Sequence, residues 1–256
     1  MPVAVVTGAS RGVGRGVAIA LADAGYKVFA TARTIEQADL PASIVRIRCD
    51  HLLNEETAAA FKRIAAEAGA PDILVNSAWG GYERMIEAGE FTWELPFWEQ
   101  PEHRWQSMLG AGVRAAFVAS SHAARLMLPR KQGLIVNISY WAAQKYMGNV
   151  IYGVAKAATD KMTADMAHEL EPYGVAVVSL YPGLVRTELV MQSAATFDLS
   201  NSESPEFQGR VIAALAKDPA LMARTGQVLV TAAVARELGV TDIDGKTPAP
   251  LTLETA

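Results

Sequence analysis

One feature constrains this chain more than any other: short β-branched runs alternate with longer helical stretches from end to end. Val3–Thr7, Tyr26–Thr31, Ile44–Cys49, Ile73–Asn76, Gly133–Ser139, Val175–Tyr181 and Gln227–Thr231 read as strands. Gly12–Ala24, Glu55–Ala68, Glu102–Leu128, Asn149–Leu170 and Pro205–Lys217 read as helices. Apolar strands alternating with helices predict a parallel sheet covered on both faces. Right-handed crossovers make that sheet doubly wound, with about seven strands. The 256 residues suit one such α/β domain spanning 1–256.

Composition excludes several classes. The chain is 51% apolar and 20% charged, which excludes intrinsic disorder. Its single cysteine excludes a disulfide scaffold, and Cys49 reads as a small core residue. A net charge of −4 argues against a nucleic-acid partner. No apolar run reaches the roughly 18 residues of a membrane span. Met1–Thr7 lacks the basic flank of a signal peptide, so the expected location is cytoplasmic. Asn137-Ile138-Ser139 fits a glycosylation pattern but falls in an expected buried strand. His51, His103, His122 and His168 show no metal-ligand spacing, and no metal site is expected.

Two stretches interrupt the alternation. Residues 79–105 carry Trp79, Trp93, Trp98 and Trp105 with Tyr82, Phe91 and Phe97. Residues 184–204 are irregular and include Met191. Both follow strands, and ligands of open α/β sheets bind at the carboxyl ends of strands. The first reads as an aromatic insertion that makes a small core, a wall for an apolar substrate, or both. The second reads as a substrate loop.

The turn Thr7-Gly8-Ala9-Ser10-Arg11-Gly12-Val13-Gly14 links the first strand to the first helix. Glycines there let backbone N–H groups approach a pyrophosphate, and the helix N-terminus favours its charge. This context makes the fold Rossmann-like. The loop alone leaves an S-adenosylmethionine-dependent methyltransferase open. The second strand ends Thr31-Ala32-Arg33 without the acid that would bind a ribose 2′-hydroxyl. Arg33 and Arg11 suit a 2′-phosphate instead, so NADP(H) is expected over NAD(H).

Tyr152 and Lys156 are four apart on an expected helix, hence on one face. An ammonium beside a phenol should lower the phenol's pKa from about 10. Tyr152 would then serve as general acid toward a carbonyl, or as base in reverse. Ser139, at the end of a strand, could hydrogen-bond the same oxygen.

With these motifs assembled, the chain resembles the short-chain dehydrogenase/reductase family over almost its whole length. Asp50, Asn76-Ser77-Ala78 and Pro182-Gly183 add to the resemblance. Within that family it resembles the group typified by SDR family member 1. That closer likeness rests on Gln144-Lys145-Tyr146-Met147, Ala167-His168-Glu169-Leu170 and Asp242-Ile243-Asp244-Gly245-Lys246, among other runs. The resemblance implies that Gly8, Gly12 and Gly14 face the pyrophosphate, with Ser10 and Val13 in the same loop. It implies Asp50 on adenine, Asn76 and Ala78 beside the adenosine, and Pro182, Gly183, Val185 and Thr187 along the nicotinamide. Tyr152 would donate the proton, Lys156 would hold the ribose, and Ser139 would orient the carbonyl. A homodimer or homotetramer is implied too. However, Ala232–Gly239 departs from the usual pattern and puts the tetramer packing in doubt.

A second departure is Gly112, where the family's pattern carries an asparagine that fixes a helix bend and a water. Glycine permits the bend at a cost of about 1 kcal/mol against alanine. The proton path is then expected to use backbone and water. The expected activity is reduction of an apolar, steroid-like or xenobiotic ketone or aldehyde, or the reverse oxidation. The alternatives are a 3-oxoacyl thioester reductase and a dinucleotide-binding regulator without turnover.

Overall fold

The computed structural model describes residues 1–256. In chain order the main elements are β1 (Val3–Thr7), α1 (Gly12–Asp23), β2 (Lys27–Ala32), β3 (Val45–Arg48), α2 (Asn54–Ala68) and β4 (Ile73–Asn76). A two-stranded antiparallel hairpin follows, β5 (Ile86–Glu87) with β6 (Glu90–Phe91). Then come α3 (His103–Trp105), a π-helical segment (Gln106–Arg114) and α4 (Ala115–Met127). The remainder is β7 (Gly133–Ile138), α5 (Val150–Leu170), β8 (Val175–Tyr181), α6 (Glu188–Gln192), α7 (Pro205–Leu215), β9 (Val228–Val230) and α8 (Thr231–Leu238). No helix is long and apolar enough to cross a membrane.

Seven strands form one parallel sheet in the order β3-β2-β1-β4-β7-β8-β9. Every residue of β1, β4 and β8 is buried, as expected for strands covered on both sides. Alternate side chains feed two cores. Ala4 and Val6 join Val17, Leu21, Phe207, Val211 and Ile212 on the α1/α7 side. Val3 and Val5 join Phe61, Ile64, Met127 and Val177 on the α2/α4 side.

The small residues of α1 have a steric explanation. A Cβ on Gly16 would stand 2.2 Å from the carbonyl carbon of Pro205, and one on Gly209 would stand 2.8 Å from the Cα of Val17. The two backbones therefore nearly touch where α1 meets α7. The expected helix 102–128 forms, but as α3 and α4 joined through the nine-residue π-helical segment. Alternation of residue types carries no signal for that wider winding, which was missed, as was the β5–β6 hairpin. Ala232–Gly239, flagged as a departure, builds α8 and buries Ala232, Val234 and Ala235 in the α1/α7 core.

Candidate active site

The strand order reverses between β1 and β4, and the carboxyl edge of the sheet at that point is where open α/β folds bind ligands. The floor of that edge is polar. The Thr7 hydroxyl accepts the N–H groups of Ser77 and Ala78, each at 3.2 Å. Gly8 has φ +67°, and a Cβ there would lie 2.6 Å from the Cα of Ala78. Only glycine satisfies both the turn and the approach. Ser10, Gly12 and Val13 continue the half-buried loop, and Gly14 packs behind it.

Acidic side chains stand where this loop can hold anions. The N–H of Gly12 donates to Glu188 Oε2 at 2.9 Å, and Arg15 pairs with the same carboxylate at 3.2 Å. Arg11 and Arg33 come from different turns but converge on Glu83, each with Nη2 at 2.9 Å from Oε1. A pair of carboxylates thus marks two positions suited to phosphate oxygens. The donor set fits a dinucleotide, and the glycine at position 8 leaves the loop backbone without a side chain to shield it.

Asp50 turns the chain after β3, its Oδ1 accepting from the N–H of Leu52. Asn76 is buried and points its amide into the sheet, donating to Ser120 Oγ at 2.9 Å and Asn137 Oδ1 at 2.8 Å. The Asn76 side chain is thereby committed to the polar floor, while Ala78 lies half-buried beside Gly8. Pro182 and Gly183 follow β8, and Val185 bridges to Glu203. The N–H of Gly183 donates to Glu203 Oε2 at 2.8 Å, as does Gln208 at 2.6 Å. Thr187 caps α6 and lies over Gly12. Met191 is exposed.

Ser139, Tyr152 and Lys156 are all buried, Tyr152 and Lys156 one helical turn apart on α5. Asn149 caps α5 by accepting the N–H of Tyr152 at 3.0 Å. Its amide also donates to the carbonyl of Trp93 at 2.9 Å, tying the helix start to the aromatic stretch. Lys156 Nζ donates to the carbonyl of Ile138 at 3.2 Å, and Ser139 Oγ donates to the carbonyl of Lys156 at 3.4 Å. The ring centroids of Trp93, Trp79 and Tyr82 lie 5.2, 5.8 and 6.1 Å from that of Tyr152. The hydroxyls of Tyr82 and Tyr152 share a hydrogen bond of 3.0 Å. Phe91, Phe97, Trp98 and Trp105 are exposed and stay outside this box.

The expected fall in the Tyr152 pKa is not found. Burial pushes the phenol well above its ordinary value, and the neighbouring phenol of Tyr82 adds to the rise. Lys156 does not offset this, because its Nζ is 5.8 Å from the Tyr152 centroid and lies nearer Trp79, 4.3 Å from that ring. Burial also pushes Lys156 down to about 8, with Asp160 opposing. Glu203 is pushed up to about 7 by burial, against the N–H of Gly183 and the amide of Gln208.

Gly112 lies in the π-helical segment, directly under Trp79. A Cβ there would be 2.7 Å from Cε3 and Cζ3 of the indole. A side chain at 112 has no space in this arrangement. Gly81 packs closely on the same indole, a Cβ there meeting its Cε2 at 2.7 Å.

The family model for short chain dehydrogenases matches residues 2–197. The chain belongs to the short-chain dehydrogenase/reductase family. This is a family of oxidoreductases that bind a nicotinamide dinucleotide. The chain is 39% identical to human dehydrogenase/reductase SDR family member 1, over 95% of this chain and 84% of that protein. It is 31% identical to an NADPH-dependent pterin aldehyde reductase of Arabidopsis thaliana, over 73% of this chain and 76% of the relative. A solved short chain dehydrogenase/reductase family protein superposes with TM-score 0.73 at 30% identity, covering 90% of this chain and 94% of its own.

Sequence reasoning missed Tyr82, Glu83, Glu188 and Glu203 as site residues. Tyr82 was legible as one member of an aromatic stretch. The three acids carry no local pattern, because each meets its partner across the fold rather than along one element.

Proposed function

We propose that this family member is an NADPH-dependent carbonyl reductase, reversible as an alcohol dehydrogenase, acting on an apolar ketone or aldehyde. The observation that carries the reading is the buried Tyr152 phenol, walled by Trp79, Tyr82 and Trp93, one helical turn before the buried Lys156 whose carbonyl accepts from Ser139. Nicotinamide, when bound, supplies the hydride to the carbonyl carbon. Tyr152 supplies the proton to the oxygen. A phenol with a raised pKa stays protonated at neutral pH, which suits the reductive direction. Ser139 would orient the carbonyl through its hydroxyl. Lys156, ammonium below about pH 8, would hold the ribose hydroxyls.

Gly8, Ser10, Gly12, Val13 and Gly14 would frame the pyrophosphate, at the N–H that now meets Glu188. Arg11 and Arg33 would take the 2′-phosphate, supported by their convergence on one carboxylate. Asp50, Asn76 and Ala78 would border the adenosine, with Asn76 contributing through its backbone because its amide is engaged elsewhere. Pro182, Gly183, Val185 and Thr187 would line the nicotinamide. The pterin aldehyde reductase among the relatives supports NADPH and an aldehyde by analogy only.

The test pairs NADPH and NADH fluorescence titrations with a ketone and aldehyde turnover screen, in wild type and Tyr152→Phe. Tighter NADPH binding, turnover in wild type, and retained binding without turnover in the variant are expected. Tighter NADH binding would overturn the cofactor assignment. An unchanged rate in Tyr152→Phe would overturn the mechanism.

A further inference from the structure

We propose that Glu83 is a specificity-determining residue that, through its neighbour Tyr82, makes access to Tyr152 depend on the cofactor's 2′-phosphate. The inference rests on the NADPH reading above and adds how that cofactor is selected and when the carbonyl enters.

Glu83 is the sole acid within ion-pair distance of Arg11 or Arg33, and it meets both. Arg33 Nη2 reaches both of its oxygens, at 2.9 and 3.1 Å. The carboxylate therefore sits on the two guanidinium groups that a 2′-phosphate would need. Tyr82, the preceding residue, sits on the other functional centre. Its hydroxyl lies 3.0 Å from that of Tyr152. An oxygen that is to receive a proton from Tyr152 must come within the same hydrogen-bond reach, about 2.6–3.2 Å. Tyr82 thus occupies the position of the substrate's oxygen.

Adjacent Cα atoms are held about 3.8 Å apart, so displacement of Glu83 is transmitted to Tyr82. The segment is held by the ring contacts of Tyr82 with Trp79, Trp93 and Tyr152 and by Arg104 on the carbonyl of Arg84 at 3.3 Å, yet it lies at the surface. Tyr82, Glu83 and Arg84 are exposed, and the hairpin beyond them has strands of two residues each. The ion pairs are exposed as well, with about half or more of each arginine side chain in solvent. Such pairs are weak latches, easily displaced. A phosphate dianion binds guanidinium forks better than a carboxylate and repels the carboxylate it replaces.

The consequence is a single event with two effects. A 2′-phosphate takes Arg11 and Arg33, Glu83 leaves, and Tyr82 is drawn from Tyr152. The uncharged 2′-hydroxyl of NADH does neither, so Glu83 stays on the arginines and Tyr82 stays on Tyr152. Cofactor choice and binding order then share one residue pair.

The experiment uses the full chain with 2′,5′-ADP and 5′-ADP, which differ only in the 2′-phosphate. Affinity is read by calorimetry and opening by hydrogen exchange over residues 80–87, in wild type and Glu83→Gln. The expected result is tighter binding of 2′,5′-ADP, with exchange at 80–87 raised about tenfold or more by that ligand alone. Glu83→Gln should exchange rapidly without ligand and bind 2′,5′-ADP roughly two- to fivefold more tightly, the scale of an exposed ion pair. Tighter 2′,5′-ADP binding with unchanged exchange at 80–87, or unchanged affinity in Glu83→Gln, overturns the proposal and leaves the NADPH reading standing. Equal affinity for the two nucleotides overturns the NADPH reading and this inference with it.

Discussion

Replacing Gly112 by alanine tests whether the indole of Trp79 is clamped against the site. The new Cβ would stand 2.7 Å from two indole carbons. Carbon atoms pack at about 3.5–4.0 Å, so the indole must retreat by roughly 1 Å. Gly81 also packs closely on this indole, a Cβ there lying 2.7 Å away, which limits the room for that retreat. Overpacking of this kind costs about 1–3 kcal/mol. Alanine returns about 1 kcal/mol of helix propensity, so the net expected loss is about 0–2 kcal/mol. The sharper effect falls on Lys156, whose Nζ lies 4.3 Å from the indole centroid. A desolvated cation–π contact contributes roughly 0.5–2 kcal/mol, equivalent to about 0.4–1.5 pKa units. Lys156, already pushed down to about 8, would fall further. The alkaline limb of kcat/KM for carbonyl reduction should move toward pH 7 in Gly112→Ala, while urea unfolding shows the modest destabilisation. A variant stabilised by the full helix-propensity gain, with the alkaline limb unmoved, would refute the clamp.

Other predictions concern titration and packing. In wild type, carbonyl reduction should decline as pH rises through about 8, where Lys156 loses its ammonium, checked by a pH–rate profile at saturating cofactor. Glu203 has a raised folded-state pKa, from 4.5 to about 7, so the folded state binds the extra proton between those values. Its contribution to stability is therefore present at low pH and lost as pH rises through about 7. From pH 5 to pH 8 the loss is about 2–3 kcal/mol, and Glu203→Gln should remove that slope in paired urea titrations. Gly16→Ala should destabilise the fold by roughly 2 kcal/mol or more, measurable by denaturation, because its Cβ would meet the Pro205 backbone at 2.2 Å.

The sheet was legible because its signal is local. Each strand is a buried apolar run, and each crossover has helix length, so sequence order and handedness leave few topologies. All seven expected parallel strands form, three with the expected ends and four with ends shifted by one residue. The π-helical segment was not legible: its wider winding leaves no periodic mark, and its close contact, Gly112 against the indole of Trp79, joins distant parts of the chain. The β5–β6 hairpin is similar. Its turn, Ala88-Gly89, is short, and its two-residue strands carry too few side chains to show alternation.

The Tyr152 pKa shows how a correct grouping can yield the wrong sign. Four-residue spacing places Lys156 on the same helical face, and that much holds. It does not aim the ammonium at the phenol. The carbonyl of Ile138 and the face of Trp79 each offer the ammonium an electronegative partner, and it takes both. Tyr152 is left with burial and another phenol as its main neighbours, both of which favour its neutral form. The balance therefore depends on Trp79 and Tyr82, two residues of the aromatic stretch whose side chains reach the site only through the fold. Moving that stretch would expose Tyr152 to water and separate it from Tyr82, weakening the two largest causes of its raised pKa together. The phenol's proton affinity is a property of the closed arrangement, and it should fall toward its ordinary value whenever Tyr82 departs.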